Sequence, residues 1–484
     1  MKSLLLILTI IISESIMPQN YVFENHLYQT YEQYKEKSLT HRRFKHLDIT
    51  PLIKLLKNKN GFTVKIVGKS VEGRDLNLIT IGKGKTKIFL WSQMHGDEPT
   101  ATAALFDIFN FINARENKDF CDKLFERVTL YFLPMVNPDG AERFKRRNFY
   151  DIDLNRDASR LRCPESKILK TVFDTLKADF GFNLHDQSHR YSVGNTFRTA
   201  TISFLAPAYN YTKDVNDVRG RAMQLIGNMY QTISQYIPGH IAKYSDEYEP
   251  RAFGDNFQKW GTSTILIESG GWKDDPEKQF IRKINYIAIL SAIKSIAEES
   301  YVNTSLDIYN SIPFNDKYIF DVVLRNLSFK NEKVKTKVDI AINLDEFEKS
   351  DGGKIYYKSQ VADLGDLSIF YGYKDFDFTG YTIEQAYVCE GKVYTQKEIK
   401  EIEIYKLYEK GYSTIQVKKL PDDKYTTLPI NFALKNNIDT TINIGEQANF
   451  IIKKDNKIEY IVVNGFLQKV EKNRKFEGNG LVIK

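Results

Sequence analysis

Thiol chemistry is the first thing this sequence lacks. Only Cys121, Cys163 and Cys389 occur in 484 residues. They form no C-x-x-C pair, and an odd count leaves at least one without an intramolecular partner. A Cys121–Cys163 disulfide would require an oxidising compartment, and no cysteine is assigned to chemistry. Long apolar runs are also missing: beyond Leu4–Ile12, no stretch is long and apolar enough to cross a bilayer. Nor is there a block of one charge sign. The formal net charge of +7 is spread over Lys-rich helices and strands, which reads as a solvated surface and not as a nucleic-acid footprint. Finally, all seven histidines precede residue 241, so the C-terminal part has no imidazole to offer a metal.

What is present divides the chain in two. The opening MKSLLLILTIIISES has a short positive start and an apolar run too short to span a membrane. It reads as a secretory signal peptide over residues 1–18, with export to the periplasm or the medium. No cysteine follows the run, which argues against a lipid-anchored start. With 42% apolar and 27% charged residues, the remainder suits globular domains with sizeable cores. Up to about residue 300, strand-length apolar runs (63–68, 75–81, 87–92, 128–133, 178–184, 201–206 and 263–268) alternate with helical periods at 100–114, 164–176, 214–236 and 276–298. Pro99 and Pro164 stand at helix starts, where a missing N–H costs little. The expectation is an α/β domain over 19–304, with a mostly parallel or mixed sheet covered by helices on both faces. Residues 20–50 read as a short leader or an N-terminal helix. Beyond a linker at 302–312, short strands separated by Asn/Asp/Gly turns predict an all-β, sandwich-like domain over 305–484.

The chemistry gathers at predicted strand ends. His95-Gly-Asp-Glu98 follows KIFLWS, Asn137 follows VTLYFL, His185 ends ADFGFNL and Glu268 ends STILIE. Ligands of α/β sheets bind in the crevice beyond those ends. Two imidazoles and a carboxylate, His95, Glu98 and His185, leave the fourth position of a Zn2+ ion open for water, the pattern of a catalytic site. One zinc per chain is expected. His189 competes with His185, which is preferred because it closes an apolar strand. Glu268 is the candidate base for the metal-activated water, and Asp153 a partner fixing the tautomer of His95. Arg146, Arg147 and Arg156, in KRRNFYDIDLNRD, offer planar forks that match a carboxylate, so the substrate should carry an anionic end.

The ordered set HGDE, NPDG, R-x-N…D-L-N-R, a strand-ending His and a strand-ending Glu resembles the zinc metallocarboxypeptidases of the carboxypeptidase A type, over roughly residues 50–300. The resemblance implies an eight-stranded mixed sheet between helices. It also implies zinc held by His95, Glu98 and His185, with Asp153 behind His95. Asn155 and Arg156 would bind the terminal carboxylate of a peptide, Arg146 would polarise the scissile carbonyl, and Glu268 would activate water and protonate the leaving amine. The family has a mobile tyrosine before the base. Tyr244 and Tyr248 both lie in that region, and Tyr248 is taken. The pocket floor would fall near Phe253–Asn256, where Asp255 suggests a basic side chain. DVVLRNLSF with KVDIAI, and GEQANFIIKKDNKIEYIVVNGFL near the end, resemble the flanking β-sandwich of amidohydrolases, but the segment between the two parts is short and has no histidine, so that family's metal chemistry is not expected. The leading expectation is an exported zinc carboxypeptidase. A zinc deacylase of N-acyl amino acids and an inactive peptide-binding protein are the alternatives.

Overall fold

The computed structural model describes residues 20–59, 61–330, 335–347, 355–434 and 441–483; the expected signal peptide lies outside them. Nine strands occupy the N-terminal part: β1 (Thr63–Lys69), β2 (Asp75–Gly82), β3 (Thr86–Ser92), β4 (Val128–Leu133), β5 (Phe180–Asp186), β6 (Ser192–Val193), β7 (Ile202–Leu205), β8 (Ile241–Lys243) and β9 (Ser263–Ser269). All but β6 form one eight-stranded sheet, in the order β1-β2-β4-β3-β5-β9-β7-β8. The centre, β4-β3-β5-β9, is parallel, whereas β2 joins β4 and β7 joins β9 in antiparallel fashion. The sheet is therefore mixed and eight-stranded, as expected.

Helices cover both faces: α1 (Asn20–Tyr34), α2 (His46–Leu56), α3 (Thr100–Asn113), α4 (Lys118–Arg127), α5 (Pro138–Arg143), α6 (Pro164–Leu176), α7 (Asp217–Ile233), α8 (Phe253–Lys259) and α9 (Gln279–Ala297). Strand β3 shows why two layers are needed. Ile88 and Leu90 enter the core shared with α3 and α9, while Phe89 and Trp91 enter the core shared with α6 and α8. Side chains alternate across a strand, so an unbroken apolar run must be buried on both sides. Trp91 is fully buried and packs on Phe257 of α8 at 4.6 Å between ring centroids.

Residues 20–50, expected as a leader or a helix, form α1, a docked loop and the start of α2. The anchor is Asp107 of α3, which accepts hydrogen bonds from Tyr31 Oη (3.0 Å) and from the guanidinium of Arg282 (2.5 Å). Arg282 also donates to the Glu36 and Leu39 carbonyls. Removing one member of so buried an ion pair costs about 3–5 kcal/mol.

The stretch expected as a linker is ordered. It contains the helix Leu306–Ser311 and is docked: Tyr309 is buried, and Lys243 Nζ donates to the Asn310 carbonyl at 2.9 Å. Strand β10 (Asn315–Asp316) then pairs with β6, tying the second region to the first. There β11 (Ile319–Lys330), β12 (Lys335–Phe347) and β13 (Tyr356–Gly365) make an antiparallel meander. Tyr371–Asp377, Thr382–Gln385, Phe450–Lys454, Lys457–Val463 and Phe466–Lys469 complete that sheet, and five shorter strands form another. The apolar stretch KIEYIVVNGFL is a hairpin of Lys457–Val463 and Phe466–Lys469. Asn464 and Gly465 both have positive φ (47° and 78°), as a two-residue turn of this hand demands.

Candidate metal centre and its cavity

Two adjacent loops build the front of the site. Gln93 and Met135 leave β3 and β4 in the left-handed region, and the loops are then tied by hydrogen bonds from Val136 N to Ser92 O and from Asn137 N to Gln93 O (3.0 Å each). The glycine of HGDE is needed for this contact: a Cβ on Gly96 would lie 2.0 Å from the Gly140 backbone. Asn137, expected among the strand-end polar groups, has a supporting place. It caps α5 through Gly140 N and donates to the Arg146 carbonyl, which fixes the loop carrying Arg146.

His95, Glu98 and His185 converge. Glu98 Oε1 lies 2.8 Å from His95 Nδ1, Glu98 Oε2 lies 2.7 Å from His185 Nδ1, and the two Nδ1 atoms are 3.2 Å apart. All three residues are buried. The donor set fits a zinc ion: ligand atoms on a tetrahedron with bonds of about 2.05 Å sit roughly 3.3 Å apart, close to these spacings. Asp153 Oδ1 holds the far nitrogen of His95 at 3.1 Å, leaving Nδ1 to face the centre. His189 is elsewhere, bonded at 2.7 Å to Asp321 of β11.

Glu268 stands beside this group because β5 and β9 are parallel neighbours that pair His185 with Glu268 in register. Its carboxyl has no hydrogen-bond partner among the described residues. Burial and the nearby Glu98 carboxylate push its pKa well above the ordinary glutamate range, with His95 opposing. Burial opposes charge on His95, but Glu98 and Asp153 together raise it to about 9. Burial also opposes ionisation of Glu98 and Asp153, yet the imidazoles hold Glu98 low, and His95 with Arg146 hold Asp153 low. Asp97 is pushed up to about 6 by burial and by Glu98.

These groups open onto a cavity of about 790 Å³. Arg146 bridges the centre and its support, with Nη1 3.3 Å from Glu98 and Nη2 3.0 Å from Asp153. Asn155 accepts from Phe253 N at 2.9 Å, which leaves its NH2 group as a donor, and Arg156 pairs with Glu249 at 3.2 Å. Asp255 lies in the same wall. Burial, with Glu249 adding to it and Arg156 opposing, pushes Asp255 up to about 7. The tyrosine is placed differently from expectation. Tyr248 packs edge-on against Tyr211 (5.0 Å) away from the cavity lining, whereas Tyr244 lines it. The reason is backbone pairing: Tyr244 N donates to Phe204 O, prolonging the β7–β8 ladder to the sheet edge.

Two groups escaped sequence reasoning. Asp186 follows His185 directly and could have been read from LHDQ. It takes a hydrogen bond from Thr100 (2.5 Å) and pairs with Lys278 at 3.2 Å. Lys278 is buried, and its ammonium also donates to Ser269 O and Gln187 O. Nothing local marks it. All three cysteines are buried and free.

A histidine–glutamate–histidine donor set beside a buried acid and clustered arginines, at the carboxyl edge of a mixed α/β sheet, has the composition of a metallohydrolase centre. Comparison with known proteins narrows this. The zinc carboxypeptidase family matches over residues 49–218, so the resemblance drawn from HGDE, NPDG and DLNR holds across that segment. Carboxypeptidase SOL1 of Arabidopsis thaliana is 32% identical over 136 residues, covering 25% of this chain and 28% of its own length. Probable carboxypeptidase 2 of Trichophyton verrucosum is 28% identical over 113 residues, covering 23% and 21%. The chain thus spans under a third of the length of these relatives. A metallo-carboxypeptidase structure from Burkholderia cenocepacia superposes with a TM-score of 0.44 and 16% identity, over 53% of this chain and 70% of that one. No helix among the described residues is long and apolar enough to cross a membrane.

Proposed function

We propose that this chain is an exported zinc metallocarboxypeptidase that removes C-terminal residues from peptides. The observation that carries the reading is the register pairing of His185 with Glu268, which sets an unpartnered acid beside three converging ligand atoms. His95, Glu98 and His185 would hold the zinc, which when bound supplies Lewis acidity and an acidified water. Asn155 and Arg156 receive the terminal carboxylate, the guanidinium through paired N–H groups. Arg146 offers its charge to the scissile carbonyl oxygen, where negative charge develops during acyl transfer. Glu268 takes a proton on the water side and returns it to the leaving amine; a raised pKa suits a group that must do both near neutrality. Asp153 keeps His95 in one tautomer. A phenol contact with substrate falls to Tyr244 in this conformation, not to Tyr248. Asp255 in the same wall favours a basic C-terminal side chain.

Digestion of a C-terminal peptide library with and without a zinc chelator tests the reading. Release of single C-terminal residues, lost on chelation and restored by zinc, is the expected result. Cleavage confined to N-acyl amino acids would replace it with the deacylase.

A further inference from the structure

The metal centre draws on the first region alone, but its cavity does not. Leu344, Asp345 and Glu346, at the end of β12, line the same cavity as the ligand triad. They are clamped there by bonds that cross between the two regions. Glu346 takes Arg42 at 2.5 Å and faces Arg43 at 3.6 Å. Arg190, five residues beyond His185, donates to the Leu344 carbonyl at 2.9 Å and reaches Asp345 at 3.1 Å and Asp321 at 2.8 Å. Asp321 in turn accepts from Leu344 N at 2.7 Å. The side chains of Arg42 and Asp321 are only 12% and 13% exposed. Opening the Arg42–Glu346 or the Arg190–Asp321 pair would strand a largely buried charge, so the end of β12 is a fixed wall and not a loose flap.

We infer that this wall is a length gate, contributed by the C-terminal β region, which admits peptides of a few residues and turns away the ends of long chains. The inference rests on the peptidase reading and deepens it. The terminal carboxylate has its receiving groups on the wall formed by Asn155, Arg156 and α8. On this reading the substrate's upstream part runs past the segment 186–191 and the end of β12, which line the same cavity. A volume of about 790 Å³ suits a ligand of drug size, which corresponds to a short peptide. A polypeptide would have to pass Asp345, whose side chain is 62% exposed and is the outermost acid of the clamp.

The test uses the full-length, zinc-loaded protein carrying Glu268→Gln, so that binding is read without turnover. Tripeptide and octapeptide ligands with the same last two residues are titrated by calorimetry, and the unmutated protein is assayed on the same pair. The tripeptide is expected to bind at least about tenfold more tightly, a difference of roughly 1.4 kcal/mol. Asp345→Ala, which trims the tip and leaves the Arg190–Asp321 pair intact, and Arg190→Ala, which releases the clamp, should bring the octapeptide to within about threefold of the tripeptide. Equal binding of both peptides by the Glu268→Gln protein overturns the gate. So does an unchanged length ratio in both variants when their thermal unfolding matches the parent. Length-dependent binding with no turnover by the unmutated protein keeps the gate and removes the peptidase reading; turnover indifferent to length does the reverse.

Discussion

The two regions of this molecule both bury polar side chains, but of different make-up. Around the metal centre the buried polar groups include an ionisable cluster, His95, Glu98, Asp153, His185, Glu268 and Lys278, among neutral side chains such as Asn137, Asn183 and Gln187. From β11 onward, the fully buried polar side chains among the described residues are neutral, chiefly asparagine, serine and threonine, while the nearly buried charges Asp321 and Glu346 pair with arginines of the first region. The asparagines form a closed network. Asn449 Oδ1 accepts from Asn464 N and Asn431 Nδ2, Asn431 Oδ1 accepts from Leu481 N, and Asn464 bonds the backbones of Ser359, Tyr357 and Asn479. A neutral, satisfied network joins sheets at little cost. A cluster of like-charged carboxylates is costly to bury, which makes this edge the candidate for chemistry.

Glu268→Gln should break the charged side of this contrast most sharply. The shape is kept and the proton carrier lost, so kcat should fall about a hundredfold to ten-thousandfold while zinc content stays at one per chain. Steady-state kinetics with metal analysis on the same sample decides it. A fall smaller than tenfold would take Glu268 out of the mechanism.

Asn464→Ala probes the neutral side. It strands Ser359 N and the Asn479 carbonyl, and costs about 3 kcal/mol at roughly 1–3 kcal/mol for each buried group left unmade. Urea unfolding should show the loss, with zinc affinity unchanged. A matching loss of zinc would mean that the two regions are not energetically separate.

Asp153→Ala should come next in size, lowering zinc affinity about 10–100-fold by releasing the tautomer of His95. Removing His185 should abolish retention of the metal in the same competition assay. His189→Ala should leave it intact, because that ring is spent on Asp321 at 2.7 Å.

The contrast also explains what could be read in the sequence. His95, Glu98, His185 and Glu268 were legible because an α/β strand places its last residues at one edge, and four polar residues there break long apolar runs. The turn at Asn464–Gly465 carried a local signal as well, hidden within an otherwise continuous apolar stretch. Lys278 and the Arg42–Glu346 pair were not legible. Their partners lie 92 and 304 residues away, so only the tertiary fold brings them together. The same holds for the buried asparagines, which read locally as turn formers. Tyr244 and Tyr248 could not be told apart because the choice depends on how far the β7–β8 ladder extends.

Asp255 gives the smallest effect and the finest test of the charged side. Burial and Glu249 hold it up to about 7, so it is mostly neutral below that pH and ionised above it. A cationic C-terminal side chain is attracted only to the ionised form, so its binding draws the proton off. Affinity for a C-terminal Lys peptide should rise with pH, by at most about tenfold per unit below pH ~7, and then level off. A C-terminal Leu peptide experiences the same titration of the metal centre but not this charge. The Lys/Leu ratio of kcat/KM therefore isolates Asp255. It should climb about tenfold between pH ~6 and ~8, and Asp255→Asn should flatten it. A ratio independent of pH in the unmutated protein would show that the basic side chain does not meet Asp255.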